Sequence, residues 1–205
     1  SAWLVCMGLR VSFGAQVHAV QTWALLGGMV GYTLLLAVTA CLLVRYVGVW
    51  DDVRTIMLLV VLMILATSVM FDDVFTRDLT RGSACYLVGW MFAVVVSEGL
   101  LRGARLALPA LFRAPYHLAL ALFFLYPVVL APLVDHPEGE ALEWALFGFA
   151  TVAGLIALTL LPAVRRGRAY VANNGSPWRW AWYPWTLFGL LAFGVMARSP
   201  MLCWS

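Results

Sequence analysis

The clearest feature of this sequence is the alternation of long apolar runs with short polar segments. A helix that crosses the hydrocarbon core of a membrane needs about 20 mostly apolar residues, and six runs come close to or exceed that length. They cover residues 21–44, 55–75, 84–101, 117–134, 142–164 and 182–204. The pattern predicts an all-α fold, a polytopic transmembrane helical bundle with about six spanning helices.

The polar segments between the runs are short, with two exceptions at 102–116 and 165–181. The first contains Arg102, Arg105 and Arg113 among leucines and alanines, which is typical of an amphipathic helix that lies in the membrane interface. Both ends of the chain fall in apolar sequence. We therefore expect residues 1–205 to form a single transmembrane domain that belongs to a longer membrane protein.

Composition excludes an ordinary soluble domain. Hydrophobic residues make up 64% of the chain and charged residues 11%, with a mean hydropathy of +0.93. A soluble domain normally carries about 25% charged residues. A soluble core of this size cannot hide so much apolar surface, because small domains leave a large share of theirs exposed. The lipid bilayer is the expected solvent and the main partner.

Arginine supplies every basic side chain, and its distribution predicts an orientation in the membrane. The chain has 13 arginines, no lysine and a net charge of +3. Nine lie in the first, third and fifth connections, whereas the opposite side has Arg10, Arg77 and Arg81. Positively charged loops remain in the cytoplasm, so we expect the nine-arginine side there and the N-terminus outside. The nine are Arg45, Arg54, Arg102, Arg105, Arg113, Arg165, Arg166, Arg168 and Arg179.

The same arginines bear on partners and localisation. Membrane topology explains arginines in short connections better than nucleic-acid binding does, so no nucleic-acid partner is expected. Other membrane subunits, or missing parts of the same chain, are expected beside the lipid. A chain rich in arginine, alanine, leucine and glycine is also common in bacteria with GC-rich genomes. We therefore expect the cytoplasmic (inner) membrane of a bacterium.

Metal and cofactor chemistry has little support in the sequence. The four cysteines lie far apart without a CxxC pair, and the three histidines do not fall at ligand spacing with them. Zinc sites and disulfide frameworks need such spacing. Phosphate-binding, zinc-protease and serine-hydrolase motifs are also missing from the sequence. We predict no metal and no cofactor, and nothing identifies a catalytic residue.

One acidic group keeps an enzymatic alternative open. Asp72, Asp73 and Asp78 form an Asp-Asp-x-x-x-x-Asp pattern, which resembles the motif that holds Mg²⁺ against a diphosphate in prenyl-transferring enzymes. The resemblance implies a metal-dependent membrane enzyme that uses these three carboxylates. The second aspartate-rich motif of such enzymes does not occur here. The structural alternative is a helix-end ion pair between Asp73 and Arg77, four residues apart.

Two further charged residues lie within apolar runs, where ionisable groups are costly and often functional. Glu98 is near the cytoplasmic end of the third run, and Arg198 is in the sixth. For Glu98 the structural alternative is a pair with Arg102, at i+4. If Glu98 instead faces another helix, it is a candidate proton or cation site.

Three functions follow from these observations. The preferred one is a non-enzymatic membrane anchor or scaffold, which carries a partner or the rest of its own chain. The alternative is a transporter or channel whose polar pathway uses Glu98, Arg198 and the outer carboxylates. The second alternative is the metal-dependent enzyme built on Asp72, Asp73 and Asp78.

Overall fold

A computed structural model describes residues 19–135, 141–167, 169, 189 and 192–196. All regular structure in these residues is helical, so the predicted all-α membrane fold is confirmed. The chain divides into two compact units, one up to Met70 and the other from Phe71 onward.

Six α-helices are described. They are α1 (Ala19–Leu42), which continues into a π-helical turn (Leu43–Val47), α2 (Asp51–Arg77), α3 (Leu79–Gly103), α4 (Ala110–Asp135), α5 (Ala141–Leu158) and α6 (Leu161–Arg166). Five helical segments are long and apolar enough to cross a membrane, and they match the first five predicted runs. They are Trp23–Val47, Thr55–Arg77, Leu79–Gly103, Ala110–Leu133 and Phe147–Arg166. Most of the sixth predicted run, 182–204, lies outside the described residues.

In the first unit, α1 shows how these helices meet lipid. Its buried positions follow the helical repeat in a narrow stripe formed by Leu26, Met29, Thr33, Ala37 and Ala40. Large apolar side chains such as Leu35 and Val38 are exposed on the rest of the helix. The Thr33 hydroxyl donates to the Met29 carbonyl at 2.7 Å. The polar group is therefore satisfied within its own helix, as a lipid environment requires.

In the second unit, the end of α2 turns directly into α3. Asp78 is the only residue between the two helices. An alanine Cβ placed at Gly82 would lie 2.3 Å from the Phe75 Cα. Only glycine lets the two backbones approach this closely after so short a turn.

An aromatic core holds α2, α3 and α4 together within the second unit. The Phe71 ring packs edge-on against Tyr86 at 5.5 Å and against Phe124 at 6.3 Å between centroids. A Cβ at Gly89 would lie 2.4 Å from the Phe71 ring. Gly89 thus makes room for the ring that joins the three helices.

The connection between α3 and α4 differs from its prediction. No separate interfacial helix lies within 102–116, because α3 continues to Gly103 and α4 already begins at Ala110. Pro109 precedes that first turn, and its carbonyl accepts from the Phe112 and Arg113 amides at 2.9 and 3.0 Å. The arginines that looked like one amphipathic face therefore belong to two helices and the loop between them.

Candidate functional site

The main polar site joins the last turns of α3 to the first turns of α4. Its centre is Glu98, whose side chain is only 14% exposed. Around it lie Arg102 from α3 and Arg113 and His117 from α4. We refer to these four residues as the Glu98 cluster.

Both carboxylate oxygens of Glu98 are occupied by side chains of α4. Arg113 Nε donates to Oε1 at 2.8 Å, and Arg113 Nη2 donates to Oε2 at 2.6 Å. The His117 Nε2 atom lies 2.9 Å from the same Oε1. Two parallel bonds from one guanidinium fix orientation as well as charge. The cluster thus works as a geometrically defined contact between α3 and α4.

The predicted pair between Glu98 and Arg102 is present but secondary. Arg102 Nη2 lies 3.6 Å from Oε2, and its side chain is 79% exposed. The closer partner, Arg113, is separated from Glu98 by 15 residues in the chain. Local spacing alone could not reveal it.

A buried hydrogen bond lies next to the cluster and joins the same helices. Ser97 Oγ and Tyr116 Oη are 2.6 Å apart, and both residues are nearly inaccessible to solvent. One hydroxyl donates to the other, so each has a partner in a place where water is scarce. The sequence does not reveal this pair, because a serine and a tyrosine in apolar runs give no signal by themselves.

After the cluster, the turn that ends α3 gives Arg105 an unusual backbone conformation. The Leu106 amide donates to the Leu101 carbonyl at 2.8 Å, and the Arg105 amide donates to the Arg102 carbonyl at 3.1 Å. This pair of bonds is a Schellman motif, which favours glycine at the residue where Arg105 stands. Arg105 has a φ of +54°, and the left-handed conformation costs a residue with a Cβ about 1–2 kcal/mol.

The three aspartates of the candidate metal motif take three different roles. Asp72 accepts a hydrogen bond from the buried Tyr86 hydroxyl. Asp78 caps α3, with Oδ1 accepting from the Arg81 amide at 3.0 Å. Asp73 is exposed. Within the described residues, no three His, Cys, Asp or Glu side chains are grouped so that they could hold a metal ion.

The remaining predicted residues can be placed as follows. Ion pairs in the described residues join Asp78 to Arg81 and Glu98 to Arg102 and Arg113, and His117 lies within hydrogen-bond distance of Glu98. Asp73 and Arg77 form none with each other, so that predicted pair is not formed. Arg198 lies outside the described residues, and its role stays a prediction.

Comparison with known proteins adds no assignment. No protein family, curated protein or solved structure matches this chain.

Proposed function

We propose that this chain is a multi-pass membrane domain that anchors or scaffolds a partner and that performs neither catalysis nor transport. The observation that carries the proposal is the occupancy of Glu98. Both of its oxygens are held by Arg113 and His117 from the neighbouring helix. A charge neutralised in this way suits a fixed contact between two helices.

Other polar groups in the apolar helices support the same role. Thr67 donates to the Ile64 carbonyl at 2.7 Å, and Ser68 donates to the Leu65 carbonyl at 2.7 Å. Thr159 likewise donates to the Ile156 carbonyl at 2.6 Å. Hydroxyls that bond to the preceding turn of their own helix are a way to hide polarity from lipid.

The transport alternative makes different demands. A pathway that uses Glu98 needs a carboxylate that faces a polar cavity and exchanges its partners as solutes pass. Here the nearest partner is a bidentate arginine, and the adjacent Ser97 and Tyr116 are buried against each other. The Asp72–Tyr86 bond similarly ties one outer carboxylate to a buried phenol.

Flux measurements distinguish the two functions. The full chain is reconstituted into liposomes with an imposed proton or potassium gradient, and Glu98→Gln provides the matched variant. The scaffold proposal predicts dissipation no faster than in protein-free liposomes for both proteins. A protein-dependent flux that Glu98→Gln abolishes, while the variant keeps its helical circular dichroism, would contradict the proposal.

The proposed location is the cytoplasmic membrane of a bacterium, with the arginine-rich ends in the cytoplasm. Phe112, at the start of α4, packs with Ala163 of α6 in one buried cluster. This contact supports an arrangement in which the α3–α4 connection and the Arg165–Arg166 segment share one end of the second unit. A shared arginine-rich end is what the positive-inside rule expects of a cytoplasmic face.

A further inference from the structure

The connection between α3 and α4 carries more positive charge than Glu98 neutralises. We call residues 102–113 the α3–α4 corner. It contains three arginines, Arg102, Arg105 and Arg113, and no acidic residue. Glu98 is the single carboxylate within ion-pair distance of these arginines in the described part of the chain. The corner therefore has an excess of cationic groups at the end of two candidate spans.

Two of the three guanidinium groups lie side by side. Arg102 Nη2 and Arg113 Nη2 both approach the same Oε2 of Glu98, at 3.6 and 2.6 Å. Arg113 uses its two bonds on the carboxylate, whereas Arg102 has 79% of its side chain exposed. Most of the Arg102 side chain is thus accessible to a ligand from outside the protein.

Arg105 adds an independent observation. It is exposed, and the chain keeps an arginine where the left-handed backbone of a Schellman turn favours glycine. At the corresponding turn after α1, φ is +69° and the residue is Gly48. Strain that is retained at a charged, exposed residue points to a role outside the fold.

The corner is held in place by apolar side chains of its own loop. Leu106 is only 8% exposed. Leu108 and Leu111 pack against the buried pair of Phe112 and Ala163. The arginines therefore project from a packed support and not from a loose loop, which reduces the ordering cost of binding.

The geometry points to an anionic phospholipid as the ligand of this corner, with Arg102 and Arg105 binding the phosphate of its headgroup. Arginine presents several planar donors that match phosphate oxygens. Basic groups at the cytoplasmic ends of membrane helices bind anionic lipids in this manner. The site lies where α3 ends and α4 begins, which is at headgroup level if both helices span. It does not depend on whether the domain scaffolds a partner.

A lipid-binding titration tests the assignment. The full chain in a neutral detergent is titrated with phosphatidylglycerol that carries a fluorescent acyl chain, and anisotropy gives the Kd. Phosphatidylcholine with the same label is the reference. We expect phosphatidylglycerol to bind more tightly than phosphatidylcholine. Each arginine replaced by glutamine should raise the Kd for phosphatidylglycerol about fivefold, and Arg102→Gln/Arg105→Gln should raise it about 25-fold.

The matched control removes two arginines near the opposite end of α3, namely Arg77 at the end of α2 and Arg81 in the first turn of α3. Arg77→Gln/Arg81→Gln changes the net charge by the same amount, so it should leave the Kd within about twofold of the wild type, as expected for charges beyond the screening length. Arg102→Lys/Arg105→Lys keeps both charges but lacks the planar donors, so its affinity should lie between those of the wild type and the glutamine pair. A Kd raised equally by the control pair would overturn the assignment, because it would show an effect of net charge alone.

A single substitution separates binding from folding. Arg105→Gly removes one charge and relieves the left-handed strain, so it should raise the thermal midpoint while it weakens phosphatidylglycerol binding about fivefold. This variant decides the matter if the double variant fails to fold. Wild-type affinity in Arg105→Gly refutes the site, as does equal affinity for phosphatidylcholine. Equal competition by millimolar glycerol phosphate would mean that the corner binds a soluble phosphate. Tighter binding of polyglutamate would mean that it binds an acidic protein. Either result would also refute the phospholipid site.

Discussion

Glu98 and Arg113 meet across two helices, although 15 residues separate them in the chain and the local i+4 spacing pairs Glu98 with Arg102. The carboxylate is mostly buried and the guanidinium is 47% exposed. Exposed pairs contribute up to about 1 kcal/mol, whereas breaking a fully buried pair costs about 3–5 kcal/mol. The intermediate burial places this pair between those limits, so it should contribute measurably to the packing of α3 on α4.

Glu98→Gln and Arg113→Gln should each lower the free energy of unfolding by about 1–3 kcal/mol, since the first leaves Arg113 without its carboxylate and the second removes the bidentate donor of Glu98. Arg102→Gln is the matched control and should cost less than about 1 kcal/mol, because its side chain is 79% exposed and its distance to Glu98 is 3.6 Å. Unfolding in mixed micelles measures all three. Equal losses in Arg102→Gln and Arg113→Gln would argue against the described geometry.

The buried hydroxyl pair makes a second prediction for single residues. Tyr116→Phe leaves the Ser97 hydroxyl without its partner at a buried position, which should cost about 1–3 kcal/mol. The double variant Ser97→Ala/Tyr116→Phe removes both polar groups and should be more stable than the sum of the single losses implies. Strict additivity in the same unfolding assay would show that the hydroxyls do not interact.

Among the helices, a close approach of α2 requires glycine at position 82 of α3. In Gly82→Ala the new methyl group would meet the Phe75 backbone, which cannot shift as a side chain can. Such overpacking costs about 1–3 kcal/mol. Gly99→Ala lies on the same helix with nothing within 4 Å of the new Cβ, so it should cause no loss. A comparison of thermal midpoints in detergent checks the pair, and equal midpoints would contradict the tight α2–α3 turn.

How well the sequence predicts these elements depends on the physical property that determines each one. The five described spans follow from hydropathy, because length and apolarity are what a bilayer selects. Their ends were less predictable. The fourth run was placed at 117–134, whereas α4 begins at Ala110, because Pro109 starts the helix and Phe112 packs on Ala163. The apolar run is interrupted here by Arg113 and Pro115, so hydropathy alone does not show that the helix already begins before them.

The candidate site was predictable only in part for the same reason. Glu98 was conspicuous as a lone acid in an apolar run, and its pair with Arg102 followed from local spacing. The contact with Arg113 depends on how α3 packs on α4, which no spacing rule contains. For Asp78 the local sequence suggests more than the structure shows. A short motif suggests metal binding, whereas the side chain caps a helix.

For the whole molecule, we expect the spanning helices of the second unit to cross the membrane in alternating directions. The α3–α4 corner and the segment after α6 should lie on the cytoplasmic side, and the α2–α3 turn on the other. Each place has an exposed residue suitable for labelling, namely Ala107, Ala169 and Thr80. Since α3 alone separates Thr80 from Ala107, this pair reports directly on whether a helix spans.

The most direct measurement is therefore labelling of single cysteines with a membrane-impermeant maleimide, in a background whose four native cysteines are alanine. Thr80→Cys should react in intact cells, whereas Ala107→Cys and Ala169→Cys should react only after the membrane is permeabilised. Reaction of Thr80→Cys and Ala107→Cys from the same side would contradict the account, because α3 would then not cross the membrane.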